Sequence, residues 1–232
     1  MQTGDGDAMN IAMTRRLVLK DWYLQRWLIL SSLLGGVVAL GIICIGGNAA
    51  FLFGLILLIT DLSAIGAQLA ISSIVQERKE QTLPFVMSLP ISYREYTSSK
   101  LVGTMLIFLL PWTLMVAGSL ALFALPGGVP HGLLPFTLIM AMEILVSTCM
   151  ICSVAVVTES QGWTVATVMV GNVAVNGVGY WVAHLNGIAR GMGGHAVMWS
   201  SAASVSVVVE FLVLFAMLGF TFYFQSRKRD FL

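Results

Sequence analysis

Three carboxylates stand in stretches that are otherwise almost wholly apolar: Asp61 within Phe51–Val75, Glu143 within Leu133–Val157 and Glu210 within Ser201–Phe224. A charged side chain at membrane depth costs about 3 kcal/mol on insertion scales, and no Lys or Arg accompanies these three, so each must face protein or water. Two readings follow. They line a pathway or a dimer interface that meets a cationic or amphipathic substrate, or they are neutral carboxyls bonded to neighbouring backbone and hydroxyls. The same residues could serve an ion-coupled secondary transporter as proton relays, but that design uses inverted repeats and broken helices, which the hydropathy does not display. Asn172 and Asn176 lie four residues apart and therefore share a helix face. Gly171, Gly177 and Gly179 beside them permit close helix contact, so packing is their expected role, in the same path or interface as the carboxylates.

Other chemistries find less support. His131, His184 and His195 fall in links between apolar stretches, and their spacing matches no metal-ligand pattern, so no metal is expected. Cys149-Met-Ile-Cys152 has redox-motif spacing, but an apolar surrounding disfavours the thiolate that such chemistry needs. An intramembrane enzyme needs a nucleophile with a base at membrane depth, and no histidine falls there; no catalytic residue is assigned. The sequence also has no Gly-x-x-x-x-Gly-Lys-Ser/Thr run to cradle phosphates.

The elements that must position these groups follow from composition. Of 232 residues, 58% are hydrophobic and only 10% charged, and mean hydropathy is +0.91, whereas a soluble domain carries roughly a quarter charged residues. A span needs about 20 largely apolar residues, and six stretches qualify: 27–45, 51–75, 101–122, 133–157, 163–182 and 201–224. The expected fold class is an all-α membrane protein of a single domain, 1–232, with an interfacial N-terminal segment over 1–26. Met1–Ala8, polar and acidic, is given no structural role. The first span is too long and lacks the small-residue pattern of a cleavable signal.

Basic residues set the orientation, because Lys and Arg near span ends are retained in the cytoplasm. Arg15, Arg16, Lys20 and Arg26 precede the first span, Arg78, Lys79, Arg94 and Lys100 lie in the second link, and Arg227, Lys228 and Arg229 follow the last. Arg190 alone lies on the other side. Both termini and the second link are therefore expected in the cytoplasm of a multi-pass plasma or inner membrane protein. Trp22, Trp27, Trp163, Trp181 and Trp199 fall at span ends, where aromatic side chains anchor at the interface.

That second link, Gln76–Lys100, is the long one on the cytoplasmic side, and it is punctuated. Glu77 to Glu80 is a charged cluster; Thr82 to Leu89 is apolar-rich, with Pro84 in its first turn and Pro90 stopping it, which describes a short helix. Ser92-Tyr-Arg-Glu95 fits a capping box that starts the helix of the third span. Leu83, Phe85, Val86, Met87 and Leu89 would each gain about 1.5–3 kcal/mol on full burial. The segment either lies on the membrane surface as an amphipathic linker or docks against a partner.

The run Glu77-Arg-Lys-Glu-Gln-Thr-Leu83, then Ser88-Leu-Pro-Ile-Ser92, Tyr96 and Lys100 resembles the motif between the second and third spans of ABC-2 type permeases, the type V fold of ATP-binding-cassette exporters. Span count, topology and the basic segment before the first span are similar too. Gln81 stands where that family usually has Gly, and Tyr93 where Arg is common, with Arg94 one place later. The resemblance implies that Thr82–Leu89 is a coupling helix seated in a cleft of a cytoplasmic ABC ATPase, with Glu77, Glu80, Thr82, Leu83, Phe85, Val86, Ser88 and Leu89 as coupling residues. It also implies two ATPase copies carrying ATP and Mg, and a second permease copy as homodimer or paralogous heterodimer. The cargo would be amphipathic (peptide, drug or lipid-like); no nucleic acid is expected among the partners. In that family the outer link here, Ala183–Ser200, holds re-entrant or outer helices that gate the exit.

Overall fold

The computed structural model describes residues 4–75, 93–125, 129–194 and 196–227. Helix α1 runs unbroken over Gly4–Ile45. Helix α2, Asn48–Ala70, follows and passes into one π-helical turn, Ile71–Val75. Helix α3 is Tyr93–Leu122, a 3-10 turn at His131–Leu133 leads into α4, Leu134–Thr158, and α5 is Gln161–His184. A short α6, Asn186–Ala189, precedes α7, Ser201–Arg227. Among the described residues there is no strand.

Among the described residues six helices are long and apolar enough to cross a membrane: Leu19–Ile45, Ala49–Ile74, Lys100–Leu122, His131–Thr158, Gln161–His184 and Ser201–Phe224. Five agree with the expected spans to within a few residues. The first begins at Leu19, well before residue 27, and no break separates it from the N-terminal segment, which forms part of α1 from Gly4 onward. The physical reason is local: no Pro lies between Gly4 and Ile45, and Lys20, Gln25 and Arg26 are good helix formers, so the charged turn lowers hydropathy without ending the helix. Pro111 lies within α3, fully buried, and the helix continues through it.

Helix α4 is the hub. In its most apolar window 78% of residues are buried, against 17% for α7 and 28% for α1, so the other helices are arranged around it. It packs against α2, α3, α5 and α7, while α1 packs on α2 and α3. A central cluster joins Ile29, Leu58, Leu62, Ile65, Phe108, Met115 and Ile144, which knits α1 to α4. Outward-facing Leu34, Val173, Leu212 and Phe215 are each more than three-fifths exposed, as lipid-facing side chains of a bundle must be.

The links are tight where glycine allows it. Gly46 and Gly47 take φ of 82° and 88°, a left-handed conformation that side chains disfavour, and so reverse the chain between α1 and α2 in two residues. Gly132 donates its N–H to the Gly194 carbonyl at 3.1 Å, joining the link before α4 to the segment after α6. A Cβ on Gly132 would lie 1.7 Å from the Gly191 oxygen, so only glycine permits this approach. The segment after α5 is thus a short helix and turns docked onto the neighbouring link, with Ile188 buried among Ile139, Val182 and Ala203.

Candidate functional site

Polar side chains gather in three places within the bundle. The first is at the ends of the second link. Lys100 Nζ, at the head of the third span, donates to Asp21 Oδ2 of α1 at 2.8 Å, with both side chains buried. One turn further along α1, Gln25 Nε2 donates to Ser72 Oγ at 2.7 Å, within the π-helical turn that closes the second span. Asp21 and Gln25 are four residues apart and share a face, so one side of α1 holds the departure from α2 and the arrival at α3. A π-turn carries one extra residue per turn and re-aims the side chains that follow it, and it often marks functional positions. Sequence reasoning noted Lys100 but missed Asp21 and Gln25.

The second place is the seam between α1 and α2. Ser32 Oγ donates to Asp61 Oδ2 at 2.8 Å. Asp61 also lies over Gly35, where a Cβ would fall 2.9 Å from Oδ1, so the small residue makes room for the carboxyl. This half-buried Asp61 thus has a neighbouring hydroxyl of its own chain as hydrogen-bond donor.

The third place is the seam between α4 and α7. Ala203, Ser206, Glu210 and Thr221 are the buried residues of α7, all on one face and mostly polar, while its apolar side chains point outward. Ser206 and Thr221 donate to carbonyls one turn back, Ala202 at 3.0 Å and Met217 at 2.8 Å. Glu210 is 6% exposed, yet neither carboxylate oxygen has a hydrogen-bond partner among the described residues. Glu143, 8% exposed on α4, is its electrostatic neighbour. Two of the three sequence-chosen carboxylates are therefore buried residues of the two helices of this seam, and Asp61 stands in another.

Asn172 and Asn176 are exposed on α5 and donate to carbonyls one turn back, Val168 at 3.0 Å and Asn172 at 2.8 Å. They do not serve as packing contacts within this chain; Gly171 and Gly179 do, against Ser147 and Met140. Cys149 and Cys152 are buried, free thiols. His184 Nδ1 lies 2.7 Å from the Tyr180 carbonyl, and among the described residues no group of three or more His, Cys, Asp or Glu side chains could hold a metal. Glu77, Glu80, Thr82, Leu83, Phe85, Val86, Ser88 and Leu89 lie outside the described residues.

The family model described as ABC-2 family transporter protein matches residues 16–229 of this chain, which takes in all six long apolar helices. No curated protein and no solved structure matches it.

Proposed function

Because the chain belongs to the ABC-2 transporter family, a family of multi-pass membrane proteins, we propose that it is the permease subunit of an ATP-driven exporter, coupled to a separate ABC ATPase through the second link. The basic residues around that link and at both termini orient it toward the cytoplasm of a plasma or inner membrane. ATP and Mg bind the ATPase, present in two copies, and a second permease copy completes the pathway. The chain's own sequence offers no Gly-x-x-x-x-Gly-Lys-Ser/Thr cradle for a nucleotide.

The observation that carries this reading is the anchoring of both ends of the second link on α1, by Asp21 to Lys100 and by Gln25 to Ser72. A surface linker with no mechanical task has no need of a buried ion pair at one end and a hydrogen-bonded π-turn at the other. Anchored in this way, a displacement of residues 76–92 is delivered to α1, α2 and α3 together. In this reading Leu83, Phe85 and Leu89 fill the ATPase cleft, and Thr82, Ser88, Glu77, Glu80 and Val86 frame them.

The test is co-purification of the permease with its ATPase, together with ATP-dependent export in vesicles. Leu83→Asp or Phe85→Asp is expected to abolish both while leaving membrane insertion intact. Full association of the Asp variants would overturn the coupling role. An ion-coupled carrier using Asp61, Glu143 and Glu210 as a relay gains nothing from the structure, because Asp61 is held by Ser32 in a different seam from the two glutamates.

A further inference from the structure

The outward face of α1 carries an arginine with no carboxylate partner among the described residues. Arg26 is exposed, and its guanidinium carbon lies 4.1 Å from the centroid of the Tyr23 ring and 5.5 Å from that of Trp27. Stacking on aromatic faces uses the plane of a guanidinium and leaves the N–H groups at its edge able to donate. The acidic residue nearest in sequence, Asp21, is buried on the other side of the helix, where Lys100 binds it at 2.8 Å. It is therefore spent, and the Arg26 charge is left to an anion from outside the described chain.

The depth of Arg26 follows from the length of its helix. The apolar part of α1, Leu19–Ile45, has 27 residues and is about 40 Å long, whereas the hydrocarbon core is about 30 Å thick. Gly46 and Gly47 reverse the chain at one surface, so about 20 residues counted back from Ile45 fill the core and bring its other boundary close to Arg26. The hydrogen bond from Gln25 to Ser72 agrees, because it sets this turn level with the end of the second span at Ile74. Arg26 thus stands at headgroup level. Toward the membrane interior Leu30, Leu34 and Val38 follow at four-residue spacing on the outward side, 49%, 68% and 55% exposed. From Arg26 to Val38 is about 18 Å, comparable with half of the hydrocarbon core.

We propose that this face of α1 is a binding site for an anionic phospholipid of the leaflet on the side of the N-terminus. The lipid phosphate accepts hydrogen bonds from the Arg26 guanidinium, which Tyr23 and Trp27 hold in place, and an acyl chain lies along Leu30, Leu34 and Val38. Charge complementarity chooses this occupant. A zwitterionic lipid carries its own cation beside the phosphate, which competes with Arg26, whereas a headgroup of net negative charge has its phosphate free for a charge-assisted bond. The bound lipid then holds α1 at the level of Asp21 and Gln25, across the helix from the residues to which those two side chains bond. No ATPase is needed for the lipid to bind, so the site stands or falls apart from the coupling role of the second link.

The experiment titrates the purified full chain in detergent with dioleoylphosphatidylglycerol or dioleoylphosphatidylcholine and reads the first lipid-binding constant by native mass spectrometry. The anionic lipid is expected to bind about fivefold more tightly than the zwitterionic one, and Arg26→Gln to remove that preference. Tyr23→Leu keeps the charge but takes away a stacking ring, and is expected to weaken binding of the anionic lipid as well. Arg26→Lys, a compact ammonium without the planar fork, should retain only part of the preference. Lys20→Gln is the control: it removes one positive charge six residues nearer the N-terminus and should cost less than Arg26→Gln. Equal affinity for the two lipids overturns the site, and so do equal losses in Lys20→Gln and Arg26→Gln, because binding would then follow net charge alone. A dimer fraction that falls in Arg26→Gln while the lipid constant stays unchanged overturns it too, since this face would then belong to a second copy of the chain. Thermal unfolding checks each variant; should Arg26→Gln not fold, Tyr23→Leu and Arg26→Lys decide, and parental lipid preference in both overturns the site.

Discussion

At the scale of single residues Asp21 and Lys100 form a buried ion pair at 2.8 Å. Removing one partner leaves a charge in a site where both side chains are less than a tenth exposed, and breaking such a pair costs about 3–5 kcal/mol. Asp21→Ala is therefore expected to lower the thermal unfolding temperature of the detergent-solubilised protein by several degrees. The double variant Asp21→Leu with Lys100→Met removes both charges and should recover most of the loss. A single variant as stable as the parent would mean that Lys100 does not depend on Asp21. The pair also shows what one sequence cannot reveal. Lys100 stands out by its place in a motif, whereas Asp21 is one acidic residue in a basic segment, and nothing local says that it will meet a side chain 79 positions away. Glu210 was visible as a carboxylate in an apolar run, but its company was not, because three such residues in three spans look alike until the seams are known.

Hydropathy located all six long apolar helices, since a run of about 20 apolar residues is a signal that survives ignorance of tertiary contacts. It starts the first at residue 27 whereas the apolar helix extends back to Leu19, because hydropathy responds to Lys20, Asp21, Gln25 and Arg26 while the helix responds to backbone propensity and to the buried pair that accepts Asp21. The π-turn at Ile71–Val75 has no composition of its own and went unseen. The docking of the two links at Gly132 was equally hidden, although it makes a sharp demand on sequence. Gly132→Ala sets a methyl against the Gly191 carbonyl, and relief of such overpacking by backbone movement costs about 1–3 kcal/mol. Gly41→Ala, with nothing within 4 Å of its Cβ position among the described residues and four residues before the end of α1, should be neutral or stabilising by up to about 1 kcal/mol. Unfolding midpoints of the two variants measured side by side check this, and equal midpoints would show that the links part without cost.

On the scale of the whole molecule, the question is what covers α5. This helix packs on α4, but only 22% of its most apolar window is buried, and Asn172 and Asn176 are exposed on it at membrane depth. Each bonds a carbonyl of its own helix, yet an amide carries more hydrogen-bonding capacity than one such bond uses, and lipid offers no partner for the rest. Gly177, one residue beyond Asn176, has nothing within 4 Å of its Cβ position among the described residues, so another helix can approach closely there. Small residues and bridging amides are what associate helices in a bilayer, where burial of apolar surface gives no net drive. The second permease copy of the proposed exporter suits this face. Asn172→Leu with Asn176→Leu is then expected to raise the dimer dissociation constant roughly tenfold or more, within the 1–2 kcal/mol that each interhelical amide bond is worth. Gly177→Trp should block the approach outright. Leu212→Trp, on the 63% exposed outer face of α7, serves as the control that changes lipid contact alone. Single-molecule mass measurement in nanodiscs or detergent reads all three, and a dimer fraction unmoved by the α5 variants would assign those asparagines to this chain alone and send the search for the interface to another helix.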